Sequence, residues 1–148
     1  MHCIEDSVHL DASQARVWKW LVHLVDGYAD WHPSHVSAEW IVGPPNRVGS
    51  VMRAVERLGD REEDLIFELT EIDPPSHFGY RIGRSIGLLL PRGSFDVQSD
   101  DAGGCWFTAR IWYRFGRLTE KVLGERLSIL RSHLEEEGEN LKRLVEAA

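Results

Sequence analysis

Between Leu123 and Leu144 the chain carries leucines at Leu123, Leu127, Leu130, Leu134, Leu141 and Leu144. Their steps alternate four and three, which predicts one buried stripe along a long amphipathic C-terminal helix. One place in that stripe is filled by Glu137. A carboxylate on the core-facing line of a helix is costly unless it is paired or bound to a cation. His133 stands one turn earlier on the same side, so the two side chains can converge on one point. A His-x-x-x-Glu pair is what a helix must offer to give one ion two ligands. The competing reading is that Glu137 marks fraying into water, helped by Gly138.

A chain of 148 residues is one domain, large enough for a hydrophobic core. Its net charge of −7 argues against nucleic acid and anionic membrane as partners. No run of 18 apolar residues exists to span a bilayer. The opening Met1-His2-Cys3-Ile4-Glu5-Asp6 has no basic segment followed by an apolar one, so a cytoplasmic location is expected. Cys3 and Cys105 do not make a disulfide framework, which fits a reducing compartment, and Cys105 reads as a small buried hydrophobe. Six tryptophans, Trp18, Trp20, Trp31, Trp40, Trp106 and Trp112, suggest large aromatic walls in a core or pocket. Neither a phosphate loop nor a Gly-x-Ser-x-Gly elbow is present.

In chain order, Ile4 to Leu10 reads as a strand. Asp11 is a candidate N-cap for a helix through Val17 and Leu21 that ends near Asp26-Gly27. Tyr28 to His35 is too short and polar for a full helix and reads as a short helix breaking into a loop at Pro33. Strands are expected over Ala38–Val42, Val48–Leu58, Glu63–Ile72, Phe78–Ile82, Gly93–Gln98 and Cys105–Phe115. Gly83–Pro91 is open between strand, loop and lid. Thr119 is expected to cap the last helix. Met52, Ala54, Glu56 and Leu58 share a strand face by period two. The fold class is therefore α+β: a curved antiparallel sheet covered by one long helix, with a hollow between them.

The pattern resembles the START-like, or SRPBCC, superfamily of helix-grip proteins, which includes the birch pollen allergen and polyketide cyclases. The resemblance spans nearly the whole chain as a single domain over residues 1–148. It rests on Asp11-Ala12-Ser13-Gln14-Ala15-Arg16-Val17-Trp18, on Trp31-His32-Pro33, and on Thr70-Glu71-Ile72-Asp73-Pro74-Pro75. Such motifs speak to fold and are nearly silent on activity.

Within that superfamily, Tyr28-Ala29-Asp30-Trp31-His32-Pro33-Ser34-His35 is similar to a segment of the zinc-dependent acylphloroglucinol hydrolases. Those enzymes cut the carbon–carbon bond between an aromatic ring and an acyl group. The resemblance implies four zinc ligands: His35, Glu56, His133 and Glu137. His32 competes with His35, and Glu63 and Glu68 compete with Glu56. It also implies a cavity role for Tyr28 in binding a substrate hydroxyl; His77 and Tyr80, on a strand flanking the hollow, are further acid–base candidates by position. Arg110 and Arg114 share a face with Trp112 and are either solvent-facing or anion-binding. The known hydrolases are longer, and carry a polar amide residue where this chain has Val36-Ser37-Ala38.

The expectation is thus a zinc-dependent hydrolase of a small aromatic or polyketide-like ketone, with a possible homodimer. Its rivals are a non-catalytic container for a small hydrophobic molecule and a metal-free polyketide cyclase or dehydratase.

Overall fold

The computed structural model describes residues 1–114 and 117–147, without the side chains of Leu58, Ser85, Ile86 and residues 117–123. One seven-stranded antiparallel sheet runs in the order β1-β7-β6-β5-β4-β3-β2. The strands are β1 (His2–Leu10), β2 (His35–Val42), β3 (Val51–Leu58), β4 (Arg61–Asp73), β5 (His77–Ile82), β6 (Arg92–Ser99) and β7 (Cys105–Tyr113). Helices α1 (Gln14–Val22) and α2 (Tyr28–Trp31) bridge β1 and β2, and α3 (Arg117–Glu146) closes the chain. This is the helix-grip arrangement the sequence predicts. Within Gly83–Pro91 the chain makes a 3-10 turn over Ser85–Leu88.

The sheet has one apolar face because its strands alternate. Along β7, Cys105, Phe107, Ala109, Ile111 and Tyr113 are buried, while Trp106, Thr108, Arg110 and Trp112 turn outward. On that outer face Arg92 lies over the Trp112 ring at 4.3 Å, and Arg110 binds Glu5 and Asp96. Arg110 is therefore a solvent-side residue rather than an anion-binding one.

Helix α1 begins later and ends earlier than expected. Its N-cap is Ser13, whose hydroxyl accepts from the Arg16 N–H at 3.1 Å. Asp11 is not the cap; its own N–H donates to the Glu146 carboxylate at 2.7 Å. After Val22 the chain makes turns up to α2 rather than continuing to Asp26-Gly27.

Helix α3 buries Leu130, Leu134, Leu141 and Val145 against the sheet. Leu144 is 37% exposed, and Val145 takes the place assigned to it, because four residues follow the helical turn more closely than three there. Thr119 and Leu123 lie outside the described side chains, and the helix is already under way at Arg117. Phe115 also lies outside the described residues. Gly138 does not fray the helix, which continues to Glu146. A Cβ on Gly138 would meet Val8 Cγ1 at 3.3 Å and Asp6 Oδ2 at 3.2 Å, so the glycine lets edge strand β1 lie close against α3. The opposite edge, β2, reaches the same helix through His35. Both margins of the sheet thus close on α3, and the space between them is the cavity. Among the described residues no helix is long and apolar enough to cross a membrane.

Because Leu141 is fully buried and Leu144 is not, Leu141→Ala is expected to cost about 2–5 kcal/mol. Leu144→Ala should cost about 0.5 kcal/mol or little more. Denaturant unfolding of the two variants checks the assignment.

Candidate metal centre and ligand cavity

Four buried side chains from three elements meet at one end of the cavity. His35, Glu56, His133 and Glu137 offer ligand atoms that all lie within 4.8 Å of one another. His133 and Glu137 face inward from α3, one turn apart. Glu56 faces inward from β3 with Met52 and Ala54, as period two requires. His35 reaches the cluster by an irregular route. Pro33 holds His32 extended, at φ −149° and ψ 142°, which ends α2 and starts β2. His35 then pairs with Glu56, and the register slips before Ser37 pairs with Val55. Ala38 and Trp40 line the inner side of β2, so regular alternation would turn His35 outward. The bulge reverses that parity and sends His35 in while Val36 is left exposed.

The distances fit a single ion. Zinc bonds of about 2.0–2.2 Å in a tetrahedron put donor atoms about 3.3–3.5 Å apart. Here His35 Nε2 lies 3.3 Å from His133 Nε2, 2.9 Å from Glu137 Oε2 and 3.6 Å from Glu56 Oε1. His133 Nε2 lies 3.4 Å from Glu137 and 4.0 Å from Glu56. Two imidazoles and two carboxylates are a donor set that a divalent cation neutralises.

Surrounding groups hold these side chains in place, as a metal site would require. His35 Nδ1–H donates to the Tyr28 carbonyl at 2.9 Å, which leaves Nε2 facing the cluster. The Tyr28 ring stacks on His35 at 4.0 Å, and its hydroxyl donates to Glu56. Trp31 Nε1–H donates to the Glu137 carbonyl at 2.9 Å, tying α2 to α3. His32 stands beside the cluster: its Nδ1 accepts from the Ser34 N–H at 2.8 Å, and its Nε2–H donates to Glu136 at 2.6 Å.

Packing these charges together displaces their proton equilibria. Burial, and then the Glu137 carboxylate, push Glu56 up to about 8. Burial also works to raise Glu137, but hydrogen bonds from His133 and His35 outweigh it and hold the group down at about 2. Burial disfavours the His133 cation, yet its bond to Glu137 and the charges of Glu137, Glu56 and Glu136 drive it up to about 9. Without an ion, protons on His133 and Glu56 offset the buried negative charge. Burial lowers His32 despite the bond to Glu136.

The cavity beyond the cluster is apolar, lined by Leu21, Val25, Trp40, Met52, Phe67, Leu69, Phe95, Ile111 and Leu130 among others. Tyr80 also lines it. Burial, and then Glu137 and Glu56, push the Tyr80 hydroxyl well above the ordinary phenol range, so it remains a donor. A Cβ at Gly93 would strike the Tyr80 ring, so only glycine leaves room for that ring.

Two expectations need correction, and two rivals of Glu56 fall away. Tyr28 lines the cavity, but its hydroxyl is engaged by Glu56, which makes it a positioning residue. His77 precedes cavity-lining Phe78 and so faces the outer side of the sheet, bound to Asp96 at 2.6 Å and Glu71 at 2.8 Å; it has no access to the cavity. Glu63 and Glu68 do not join the cluster: Glu63 approaches Arg126 at 3.8 Å, and Glu68 is bound by Arg81 on the outer face. Glu136 was missed altogether. Its signal is its place three residues after His133, on a neighbouring flank of the same helix.

Comparison with known proteins follows the fold. No curated protein matches the sequence significantly. The aromatase/cyclase ZhuI from Streptomyces sp. R1128 superposes with a TM-score of 0.78 at 16% identity, over 98% of this chain and 93% of that one. Norcoclaurine synthase from Thalictrum flavum, solved with dopamine and hydroxybenzaldehyde, gives 0.77 at 14% identity over 99% and 87%. Ara h 8.0201 gives 0.74 at 15% identity over 99% of both chains. Identities this low establish the fold alone. The protein-family model for polyketide cyclase/dehydrase and lipid transport matches residues 1–146, and the chain belongs to that family.

Proposed function

We propose that this protein is a zinc-type metal-dependent hydrolase that cleaves a carbon–carbon bond in a small aromatic or polyketide-like ketone. The observation that supports this most is the convergence of His35, Glu56, His133 and Glu137, their ligand atoms all within 4.8 Å of one another, at the end of an apolar cavity. These four residues would hold a divalent ion, which would supply a Lewis acid and, by taking a water as a further ligand, lower that water's pKa to about 7. The overall reaction adds water across the aryl–acyl bond: the acyl carbon gains the hydroxyl, the ring carbon takes a proton, and a carboxylic acid leaves with the arene.

The protein's own residues prepare that reaction. Tyr28 and the Tyr28 carbonyl fix Glu56 and His35, while Trp31 fixes the helix backbone at Glu137. The apolar walls exclude bulk water and hold a flat ring. Tyr80 donates a hydrogen bond to a substrate oxygen. Neither lysine nor arginine is among the described lining residues, which favours an uncharged ketone over a carboxylate or phosphate ester.

A second reading is a metal-free cyclase or dehydratase, or a carrier of a small hydrophobic molecule. The family description and the ZhuI fold likeness favour it. Metal analysis separates the readings. Purified protein is expected to carry about one zinc per chain. His133→Ala and Glu137→Ala should each abolish stoichiometric zinc. Tyr28→Phe should weaken zinc affinity by about 10- to 100-fold through the loosened Glu56. Acid release from a panel of aryl ketones, abolished by a chelator and restored by zinc, completes the test. Turnover unchanged after chelation favours the second reading.

Tyr80→Phe is expected to lower kcat/KM on a hydroxylated aryl ketone about 3- to 10-fold, the equivalent of one neutral hydrogen bond, with zinc content unchanged. Steady-state kinetics and metal analysis of the same preparation check both halves.

The metal-free protein should also be alkali-sensitive. Folding raises Glu56 from its ordinary 4.5 to about 8 and His133 from 6.5 to about 9. Stability from a raised group is complete below its unfolded value and lost as pH climbs through its folded value. The Tm of chelator-treated protein is therefore expected to fall as pH rises from 6.5 to 9. Zinc-loaded protein, whose ligands are already deprotonated, should show a flatter profile over that range. Thermal melts across the pH series, with and without zinc, measure the difference.

A further inference from the structure

His133 is the one residue, among those described, that lines two separate hollows. On one side is the apolar cavity. On the other is a polar surface groove lined by His32, Ser34, Arg57, Ser132, His133 and Glu136, among others. The partners of His133 all lie at its Nε2, inside the cluster. Among the described residues nothing binds its Nδ1, yet no buried polar side-chain atom lacks a partner. Its Nδ1 therefore keeps some accessible surface on one of the two hollows the ring lines.

A hydrated divalent cation cannot cross the apolar cavity cheaply. It would have to shed water against walls that are almost entirely apolar, and stripping an ion of water costs many kcal/mol. The groove offers oxygen and nitrogen groups instead. Glu136 is exposed at its rim, and the Glu136 carboxylate is gripped through Oε2 by buried His32 at 2.6 Å, which leaves Oε1 unshared. The His32 and His133 rings lie 4.4 Å apart, so the rim is one side chain from the cluster. Arg57, the cationic side chain in the described lining, is drawn off by Glu62 at 3.7 Å.

We infer that this groove is the loading route for the divalent cation, with Glu136 as the capturing carboxylate and His32 as the residue that positions it. The inference rests on the metal-centre reading above. It separates traffic through the molecule: cation and water by the polar groove, ketone by the apolar cavity.

The test follows zinc transfer by stopped flow from a chromophoric zinc chelator to metal-free protein. Glu136→Gln is expected to slow uptake about tenfold, as loss of local charge attraction does, while the final zinc content stays equal to wild type. Ser132→Phe, at an exposed position that fills the groove, should slow uptake too. Leu24→Trp, which narrows the apolar cavity, should leave the uptake rate unchanged. Circular dichroism and Tm confirm that each variant is folded. Wild-type uptake rates in both groove variants, or slowed uptake in Leu24→Trp, overturn the route while leaving the metal centre intact. A wild-type chain that takes up no zinc overturns both.

Discussion

Two carboxylates and two imidazoles packed within 4.8 Å of each other, away from water, form the interaction that the rest of this structure serves. Each charge there has lost its hydration, and an unpaired one would cost several kcal/mol. The surroundings are built to make the arrangement tolerable. Tyr28 supplies a hydroxyl, a carbonyl and a stacked ring, and Trp31 supplies an indole N–H, all from a helix of four residues. Gly138 lets strand β1 close on the long helix from the far side, so that His133 and Glu137 stay at fixed depth. Fold and site are thus one problem: the sheet must close on the helix for the four groups to meet.

A likeness in fold joins this chain to a cyclase, a synthase and Ara h 8.0201, at identities of 14–16%. What such a scaffold has in common is a hollow between a curved sheet and a helix. Chemistry comes from what projects into the hollow. In this chain the apolar part is generic, whereas the polar cluster is concentrated at one end, so one region selects shape and another handles charge.

Much of this was legible in the residues. Period-two runs gave the strands, and the stripe along the last helix exposed Glu137 by its own interruption. Glu56 was readable from its company, Met52 and Ala54, on one strand face. His35 was not, because alternation through Ala38 and Trp40 points it away from the core; only the family likeness singled it out. His77 and Tyr80 are three residues apart on one strand, so period two already forbids a common face, and Tyr80 is the one turned inward. Ser13 and Asp11 are both good caps by composition, and the bond from the Arg16 N–H to the Ser13 hydroxyl distinguishes them. Leu144 and Val145 are adjacent, and a drift of a fraction of a turn decides which is buried. The pairing of His32 with Glu136 joins positions 104 residues apart, beyond the reach of any local pattern.

The irregularity at the start of β2 has a wider implication. One surplus residue between His35 and Ser37 sets which way an imidazole points. Flattening that bulge at unchanged strand length would restore even pleating, swing the ring to the outside and leave an ordinary greasy container behind. Introducing such a bulge into an evenly pleated container that already held the other three groups would do the reverse. Within such a scaffold, the step between a plain apolar hollow and one that gathers two imidazoles and two carboxylates at its end is as small as one irregularity in a strand.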